Sequence, residues 1–449
     1  MTDYKRAKWA QWADHVRSLD DPAKNYDKPE ALDDLVVIDV SSRSMAGCYC
    51  SSLLAELGAE TIRIEPPGGD IVRTYSPQGI QQKGTGFAYL QEGRNKFHVT
   101  LDLETEDGRE IFRQLAGNAD VIVETFPAGK MDAWGIGYDA LSKANPRLIF
   151  TSISFLGQFG PDSGRGQYDY DNVSQARSGI QYGTGEVLPE GKTADEMPWA
   201  VPTKAGPWIA WSVSGTFAAL GILAALRHRE ETGEGQAIDV STPEAYQRLH
   251  DYALHWYADQ GVVQERFSNL DTALWLYGFF PTKDGGVFLG GLRLEMWKAF
   301  VDILGKWDEW EADSWTTLAP FMKKDWQLKY QAMINPLTSG YTSEELTRKS
   351  IEYARSGRLA PITPVVAEIV SPWKTMHDEN WGDRGIFTPV QDPCFGSVVC
   401  AQAQWKATET PPRTKWVCRP AGHDNDFIYL RYLGYGPVRL AELKEKGVI

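Results

Sequence analysis

The chain has 449 residues, of which 42% are hydrophobic and 24% are charged, and its formal net charge is −14 at pH 7. The length predicts two or three domains, and the composition is ordinary for a soluble globular protein. An acidic chain lacks the basic surface that neutralises phosphate groups, so we expect no nucleic-acid partner.

The cysteines and the N-terminal segment exclude further classes. Five cysteines are an odd number, and none has the spacing of a zinc site, so we predict neither a disulfide framework nor a bound metal. The polar N-terminal arm, residues 1–29, lacks the apolar segment of a signal peptide, and we expect a cytoplasmic location.

The first 160 residues alternate apolar runs with helical patterns. Runs rich in β-branched residues predict buried strands at 35–40, 59–65, 97–101, 120–125 and 145–155. The segments 46–58 and 105–116 predict helices. This alternation predicts a parallel sheet with right-handed crossovers, and hence a Rossmann-like α/β fold. The first strand–helix turn, DVSSRSMAG, has no G-x-G-x-x-G pattern, so the sequence does not support a dinucleotide site.

The stretch AWSVSGTFAALGILAAL, residues 210–226, has no charged side chain and is rich in small residues. Together with residues 205–209 it is long enough to cross a bilayer. Its glycine, proline, serine and threonine residues, and the polar sequence on both sides, favour a buried core helix instead. We therefore expect no membrane partner. Gly233 and Gly235 then turn the chain into a further strand.

The rest of the chain has a different character. Residues 161–205 predict loops, and residues 243–270 predict helices. From 275 to 390, a hairpin-like pair around the turn Lys-Asp-Gly-Gly at 283–286 precedes Trp-rich amphipathic helices. This region predicts a second, smaller α+β domain. The tail predicts a helix, a glycine turn and a last helix.

Five stretches, in chain order, together resemble one protein family. They are residues 37–73, 94–112, 119–161, 221–241 (GILAALRHREETGEGQAIDVS) and 433–449. These sequences are similar to those of class III CoA-transferases, the family of formyl-CoA, carnitine and bile-acid CoA-transferases that includes α-methylacyl-CoA racemase. The similarity extends from about residue 30 to residue 449 and is most specific in the first 240 residues.

The resemblance implies an architecture as well. Members of the family form an interlocked-ring dimer, in which each chain threads through a hole in the other, and the C-terminal tail returns to the large domain. We therefore predict five parts. They are an N-terminal arm (1–29), a large Rossmann-like domain (30–245), linker helices (246–274), a small α+β domain (275–390) and a C-terminal return to the large domain (391–449).

The chemistry implied by the family needs an aspartate nucleophile. It attacks the acyl-CoA thioester, which forms a mixed anhydride and releases CoA thiolate. The thiolate then attacks the anhydride, which releases the donor acid and leaves an aspartyl-CoA thioester. In the family this aspartate stands four residues before the glycine of a small-residue helix, as in A-D-x-x-x-G. Here the matching glycine is Gly215, and Trp211 stands four residues before it in AWSVSG. Indole has no carboxylate, so the resemblance implies that this chain has no catalytic residue at that position.

Alternatives to a lost site stay open. Trp211 also fits an ordinary core position, since the chain has 17 tryptophans. Asp169 or Asp171 could be a displaced nucleophile, and Asp171 could equally cap a helix that starts near Asn172. A racemase would need histidine at Tyr170 and aspartate at Trp211, so racemisation is disfavoured.

The CoA contacts implied by the family are incomplete. The matching positions are Met45, Ala46, Lys96, Thr125 and Phe126. Thr125 replaces an asparagine, and Ala133 and Pro67 replace cationic residues, which removes phosphate pairing. Lys96 and Phe126 fit surface charge and strand-end packing equally well. We expect a vestigial or weak CoA site.

These points lead to a hypothesis about function. The chain would be the nucleophile-lacking subunit of a heteromeric class III CoA-transferase, which moves CoA from an acyl-CoA such as succinyl-CoA to a carboxylic acid. A homologous partner chain would supply the aspartate, CoA thioesters would be substrates, and no cofactor would be permanently bound. Two alternatives remain: a stand-alone, non-catalytic binding protein on this fold, and an active homodimer that uses Asp169 or Asp171.

Overall fold

The computed structural model describes residues 28–186, 192–193, 195–197, 200, 202–266, 269–270, 277–291, 293–317, 324–358 and 365–449. Most of the predicted N-terminal arm, 1–27, and the end of the predicted linker, 271–274, lie outside the described residues. The chain divides into two compact units. The first takes in the chain up to Ile180, with Ala205–Gln260 and Met376–Ile449, and the second takes in Gln181–Lys204 and Gly261–Thr375. The predicted domain boundaries stay predictions.

The strands set the architecture of both units. In chain order they are β1 (Val36–Asp39), β2 (Glu60–Glu65), β3 (Gln81–Gln82), β4 (Thr85–Gly86), β5 (Lys96–Thr100), β6 (Val121–Glu124), β7 (Ile149–Ser154), β8 (Ala237–Ser241), β9 (Tyr277–Thr282), β10 (Gly285–Gly290), β11 (Val366–Glu368), β12 (Phe387–Asp392) and β13 (Gly396–Ala401). Six of them form a parallel sheet in the order β5-β2-β1-β6-β7-β8. This is the doubly wound order, so the Rossmann-like α/β prediction is confirmed.

The helices of the described residues follow in chain order, and in the first 240 residues they alternate with the strands of the sheet. They are α1 (Met45–Glu56), α2 (Phe87–Glu92), α3 (Glu106–Ala116), α4 (Lys130–Ala133), α5 (Tyr138–Leu141), α6 (Asp171–Arg177), α7 (Ile209–Thr232), α8 (Thr242–Gln247), α9 (Asp251–Gln260), α10 (Leu294–Ile303), α11 (Lys324–Thr338), α12 (Ser343–Ser356), α13 (Pro372–Met376), α14 (Glu379–Asp383), α15 (Asn425–Leu433) and α16 (Pro437–Glu445). Short 3₁₀ turns lie at Ile71–Thr74, Pro77–Gly79, Ser163–Arg165, Ile180–Gly183, Arg248–His250 and Ala312–Ser314.

The central strands are buried on both faces. In β1, Val37 packs in one core cluster and Ile38 in the other. In β6, Val121 and Val123 face the first cluster, while Ile122 faces the second. All five side chains are 0% exposed. Because both faces are covered, these strands are continuous β-branched runs rather than alternating apolar and polar residues.

Helices α1 and α7 pack closely in the first core cluster, and a glycine sets their distance. A Cβ on Gly215 of α7 would lie 2.6 Å from the backbone oxygen of Ala46 and 3.1 Å from the backbone nitrogen of Cys50, both on α1. Protein interiors leave no room for such an atom. The two helices therefore meet backbone to backbone, which explains the small residues of α7.

Helix α7 is the one helix among the described residues whose length and composition would suit a membrane span, and half of its apolar window is buried. Its outer face carries Phe217, Leu220 and Leu223, which are 36%, 60% and 38% exposed. The predicted core helix is thus buried on one face only.

The C-terminal segment covers the outer strand β5. The side chains of Asp424 and Asn425 accept hydrogen bonds from the backbone N–H groups of His98 and Thr100, at 2.8 and 2.9 Å. The Tyr429 hydroxyl donates to the carbonyl oxygen of Thr100 at 2.7 Å. These contacts satisfy the outward-facing backbone groups of an edge strand and close the edge to further strands.

The second unit is built on a small antiparallel sheet in the order β11-β10-β9. The predicted hairpin is confirmed, since Gly285 of β10 pairs with Thr282 of β9. The turn is held by Asp284, whose carboxylate accepts the N–H of Ser343 at the start of α12, at 2.8 Å. Trp297 of α10 is 2% exposed and anchors the core of this unit.

Candidate functional site

Trp211 is the third residue of α7 and is only 4% exposed. Its ring stacks on that of Tyr75, with the ring centroids 6.0 Å apart and 4° between the ring planes. Offset stacking of this kind adds to the burial of both rings. Two carboxylates, Asp169 and Asp171, lie against the same tryptophan. We call these four residues the Trp211 site.

Asp171 holds the first turn of α7. Its Oδ1 accepts the backbone N–H of Trp211 at 3.1 Å, and its Oδ2 accepts the amide of Gln175 at 2.6 Å. Burial raises the pKa of Asp171, and the backbone N–H groups of Trp211, Ala210 and Trp208 act in the opposite direction. The carboxylate therefore acts as an acceptor cap for α7 that comes from outside the helix.

This arrangement corrects the sequence prediction for Asp171. The alternative in which Asp171 caps a helix starting near Asn172 is wrong, because α6 begins at Asp171 itself and has no capping side chain. The N-cap residue of α7, Trp208, has a φ of 58° and no capping side chain either. Asp171 fills the need of α7 because a helix N-terminus leaves four N–H groups unpaired.

Asp169 is 1% exposed and is held by two hydroxyl groups. Ser174 donates to its Oδ1 at 2.5 Å, and Thr242 donates to its Oδ2 at 2.7 Å. Burial raises the pKa of Asp169 to about 6, although these hydroxyls and the Trp211 indole N–H lower it. The indole N–H of Trp211 lies near the Asp169 carboxylate. It does not form a full hydrogen bond, since the buried Nε1 has no acceptor at hydrogen-bonding geometry.

The Trp211 site contains no cation. Neither Asp169 nor Asp171 forms an ion pair with any described residue, and both carboxyl groups are buried. A carboxylate nucleophile must be ionised and open to an incoming thioester. Asp169 is enclosed, and Asp171 accepts the backbone N–H of Trp211. The use of either residue as a nucleophile stays a prediction.

The predicted CoA positions surround the point where the strand order reverses. Met45 and Ala46 begin α1 after β1, while Thr125 and Phe126 follow β6. Doubly wound sheets bind ligands in the crevice at this point. All four side chains are buried, with exposures of 4%, 0%, 1% and 8%. Their contact with CoA stays a prediction.

Contacts within the protein close part of this turn. The backbone N–H of Ser42 donates to the Thr125 hydroxyl oxygen at 2.8 Å, and that hydroxyl donates to the Ser42 carbonyl at 2.9 Å. A Cβ on Gly47 would lie 2.4 Å from the Cβ of Ser41. The strand–helix turn is therefore closed by side chains instead of forming an open phosphate-binding loop.

Lys96 belongs to a buried charge cluster. Its ammonium lies 3.2 Å from Asp39 and donates to the Cys48 carbonyl at 2.8 Å, while Arg63 pairs with Asp39 at 2.7 Å. Lys96 is 1% exposed and Asp39 and Arg63 are 0% exposed. This corrects the interpretation of Lys96 as a surface charge. A contact of the residue with CoA stays a prediction, but its ammonium is already occupied.

Sequence reasoning missed Tyr75 and Asp39. Tyr75 follows a 3₁₀ turn after β2, and no motif marks it as the stacking partner of Trp211. Asp39 had a usable signal, because a charged residue inside the β-branched run LVVIDV must be buried and must find partners.

The cysteines supply no reactive thiolate. All five are free, and burial raises the pKa of Cys48 to about 11 and that of Cys418 to about 12. Thiols are nucleophiles and metal ligands only when ionised. Among the residues that the structure describes, no group of three or more His, Cys, Asp and Glu side chains could hold a metal ion.

Comparisons with known proteins agree on one group. The model of CoA-transferase family III matches residues 32–425. The alpha subunit of succinyl-CoA–L-malate CoA-transferase from Chloroflexus aurantiacus is 30% identical over 430 residues, covering 93% of this chain and 92% of that one. The beta subunit from the same species is 36% identical over 252 residues, covering 56% and 58%. A CaiB/BaiF family structure from Brucella suis has a TM-score of 0.73 at 23% identity, covering 90% of this chain and 99% of that one, a likeness of fold.

Proposed function

Since the chain belongs to CoA-transferase family III, we propose that it is the nucleophile-lacking subunit of a heteromeric CoA-transferase. The family uses CoA thioesters as substrates and holds no permanent cofactor. In the proposed enzyme a homologous partner chain supplies the aspartate nucleophile and most of the CoA site. This chain alone is inactive.

The side chain at position 211 is the main support for this proposal. The family register assigns the nucleophile to Trp211, and an indole offers one N–H donor and no carboxylate. The side chain is 4% exposed and stacked on Tyr75, so the space that an acyl thioester would need is filled by two rings. Asp169 and Asp171 do not replace the lost group, because one is enclosed and the other caps α7.

Two observations support a homologous partner. The relatives include an alpha and a beta subunit with the same enzyme name, and both are similar to this chain. The outer face of α7 exposes Phe217, Leu220 and Leu223, and an apolar strip of this kind marks a surface that is covered in the assembly. The proposal commits to a chain of the same fold that carries A-D-x-x-x-G.

We further propose succinyl-CoA as the donor and (R)-benzylsuccinate as the acceptor, which would place the enzyme in anaerobic toluene degradation. The donor is supported by the names of both relatives. The acceptor rests on the family resemblance, since a class III enzyme with two different subunits transfers CoA to this acid. The 12% aromatic content is compatible with an aromatic acid but does not select one.

Purification of the chain alone and with its homologous genomic neighbour tests the proposal. CoA transfer from succinyl-CoA to (R)-benzylsuccinate should appear only in the complex, and hydroxylamine should trap the enzyme-bound acyl or CoA ester on the partner. Transfer by the chain alone at roughly 1–1,000 per second would contradict the proposal. Trapping on Asp169 or Asp171 would support the active homodimer instead. A complex that binds CoA but transfers nothing would support the binding protein.

Substitutions at position 211 sharpen the test. Trp211→Phe should leave turnover of the complex nearly unchanged, because no chemistry passes through the indole. Trp211→Asp restores a carboxylate but not the family's contacts at Ala133 and Thr125, so it should create little or no second active site. Loss of turnover by orders of magnitude in an assembled Trp211→Phe complex would show that the tryptophan takes part in the reaction.

A further inference from the structure

The backbone of Arg43 is strained and is held by two hydrogen bonds. Its φ is 62°, a value that side chains other than glycine rarely adopt. Its backbone N–H donates to Asp70 at 3.2 Å, and its carbonyl accepts the Tyr75 hydroxyl at 3.2 Å. Strain that the surroundings maintain in this way concentrates at functional sites. Tyr75 is also the ring that stacks on Trp211, so Arg43 lies at the rim of the Trp211 site.

The side chain of Arg43 is oriented but unpaired. Its guanidinium carbon lies over the Tyr168 ring, 4.9 Å from the ring centroid, within the range of a cation–π contact. Arg43 is exposed, and its guanidinium forms no ion pair or hydrogen bond with any described residue. The contact with the ring leaves guanidinium N–H groups free to bind a ligand. These groups match a carboxylate in a bidentate manner.

The position favours an anion for two further reasons. Arg43 lies four residues after the carboxyl end of β1 and two residues before the start of α1, in the turn where a doubly wound sheet binds its ligands. The first turn of α1 contains no acidic residue, so the positive end of its dipole is not neutralised there. Asp70, the nearby carboxylate, is occupied by Ser42, the Arg43 backbone and Val72.

We propose that Arg43, lying on Tyr168, is a carboxylate-recognition residue at the rim of the Trp211 site. Its ligand is a carboxylate remote from the thioester position of a dicarboxylic acid. The group can come from the free acid or from the free end of its CoA monothioester. The choice of acid rests on the proposed function, whose donor and acceptor both carry such a group. Trp211 blocks the chemistry, but it does not block recognition of the remote end.

The test compares succinate with butyrate, which has the same chain length and lacks the second carboxylate. Binding is measured by calorimetry on the assembly that the full-length chain forms, comparing native protein with Arg43→Gln. Native protein should prefer succinate, and Arg43→Gln should weaken succinate binding about ten- to hundredfold without affecting butyrate. Arg43→Lys should keep part of the preference. Arg165→Gln, another exposed arginine, should change nothing.

Succinyl-CoA and butyryl-CoA are the second pair of probes. Dependence on Arg43 for succinate identifies the free acid, and dependence only for succinyl-CoA identifies the thioester. An Arg43→Gln protein that keeps its succinate and succinyl-CoA affinities, with an unchanged melting temperature, overturns the inference. An active complex without Arg43-dependent binding defeats this inference and leaves the proposed function intact. If the chain transfers CoA without a partner and its ligand binding depends on Arg43, the proposed function fails and this inference stands.

Discussion

Two buried carboxylates of the first unit titrate in opposite directions. Burial alone would raise the pKa of Asp39, but Arg63 and Lys96, with two serine hydroxyls, hold it well below its usual range. Burial raises the pKa of Asp169 to about 6, because only hydroxyl and indole donors oppose it. Both side chains are nine-tenths or more buried. The presence of cations, and not the degree of burial, decides which carboxylate stays ionised.

Asp39 and Asp169 lie in two different kinds of buried polar cluster, one with cations and one without. In the Asp39 cluster two cations hold one buried carboxylate, which therefore stays ionised at every physiological pH and is a structural element under α1. The Trp211 site has carboxyl groups without ion-pair partners, and burial raises the pKa of both, that of Asp169 to about 6. An uncharged indole is compatible with the second environment.

The largest expected effect comes from removing the anion of the Asp39 cluster. Asp39→Asn leaves the charges of Arg63 and Lys96 buried without a partner, which should lower the free energy of unfolding by about 3–5 kcal/mol. Urea denaturation measures the loss. The half-buried Asp162, which pairs with the exposed Arg165 and Arg177, is the control, and Asp162→Asn should cost less than about 1 kcal/mol. Equal losses in the two variants would remove the distinction drawn for Asp39.

The next effect is a pH dependence at the Trp211 site. The folded-state pKa of Asp169, about 6, is above the value of about 3.9 for an unfolded chain. Between these values the folded protein binds more protons, so stability falls as the pH rises from about 4 to 6. Asp169→Asn should remove up to about 3 kcal/mol of this loss. The measurement is urea unfolding of both proteins from pH 4 to pH 8.

Glu124 is a matched control for that pH series. Burial raises its pKa to about 8, so its own destabilising ionisation continues from pH 4 to about pH 8. Glu124→Gln should therefore change the stability slope between pH 6 and 8, where Asp169→Asn has no further effect. If Asp169→Asn leaves the slope below pH 6 unchanged, the contrast with Asp39 fails.

A smaller effect tests the packing that places Trp211. Gly215→Ala adds a Cβ 2.6 Å from the Ala46 carbonyl oxygen, and should destabilise the protein by about 1–3 kcal/mol. Gly221→Ala in the same helix meets only Ile238, at 3.3 Å, and gains up to about 1 kcal/mol of helix propensity. Thermal unfolding should separate the two. A neutral Gly215→Ala would show that α1 and α7 can move apart freely.

The large sheet was predictable because its central strands are covered on both faces. Runs such as LVVIDV have few other structures open to them, and they appear as β1 and β6 with boundaries shifted by a residue. The hairpin of β12 and β13 was missed. Pro389 lies inside β12 opposite Val399, and proline within a run argues against a strand.

For the site, the sequence could indicate positions along the chain but not the contacts between distant segments. The family resemblance pointed to Trp211, whose role as the former nucleophile position stays a prediction, while Gly215 lies at the tight contact between α7 and α1. The stacking of Tyr75 and the capping of α7 by Asp171 depend on where loops bring distant segments. Loop conformations of this kind leave no periodic signal in a sequence.

The covering of β5 by the tail has a consequence for synthesis. The strand ends at Thr100, while its cover begins near Asn425. A ribosome that adds roughly 5–20 residues per second needs about 15–65 s to cover that distance. During this interval the nascent chain presents an open strand edge at β5. The synthesis of the segment that begins near Asn425 therefore determines when that edge can close.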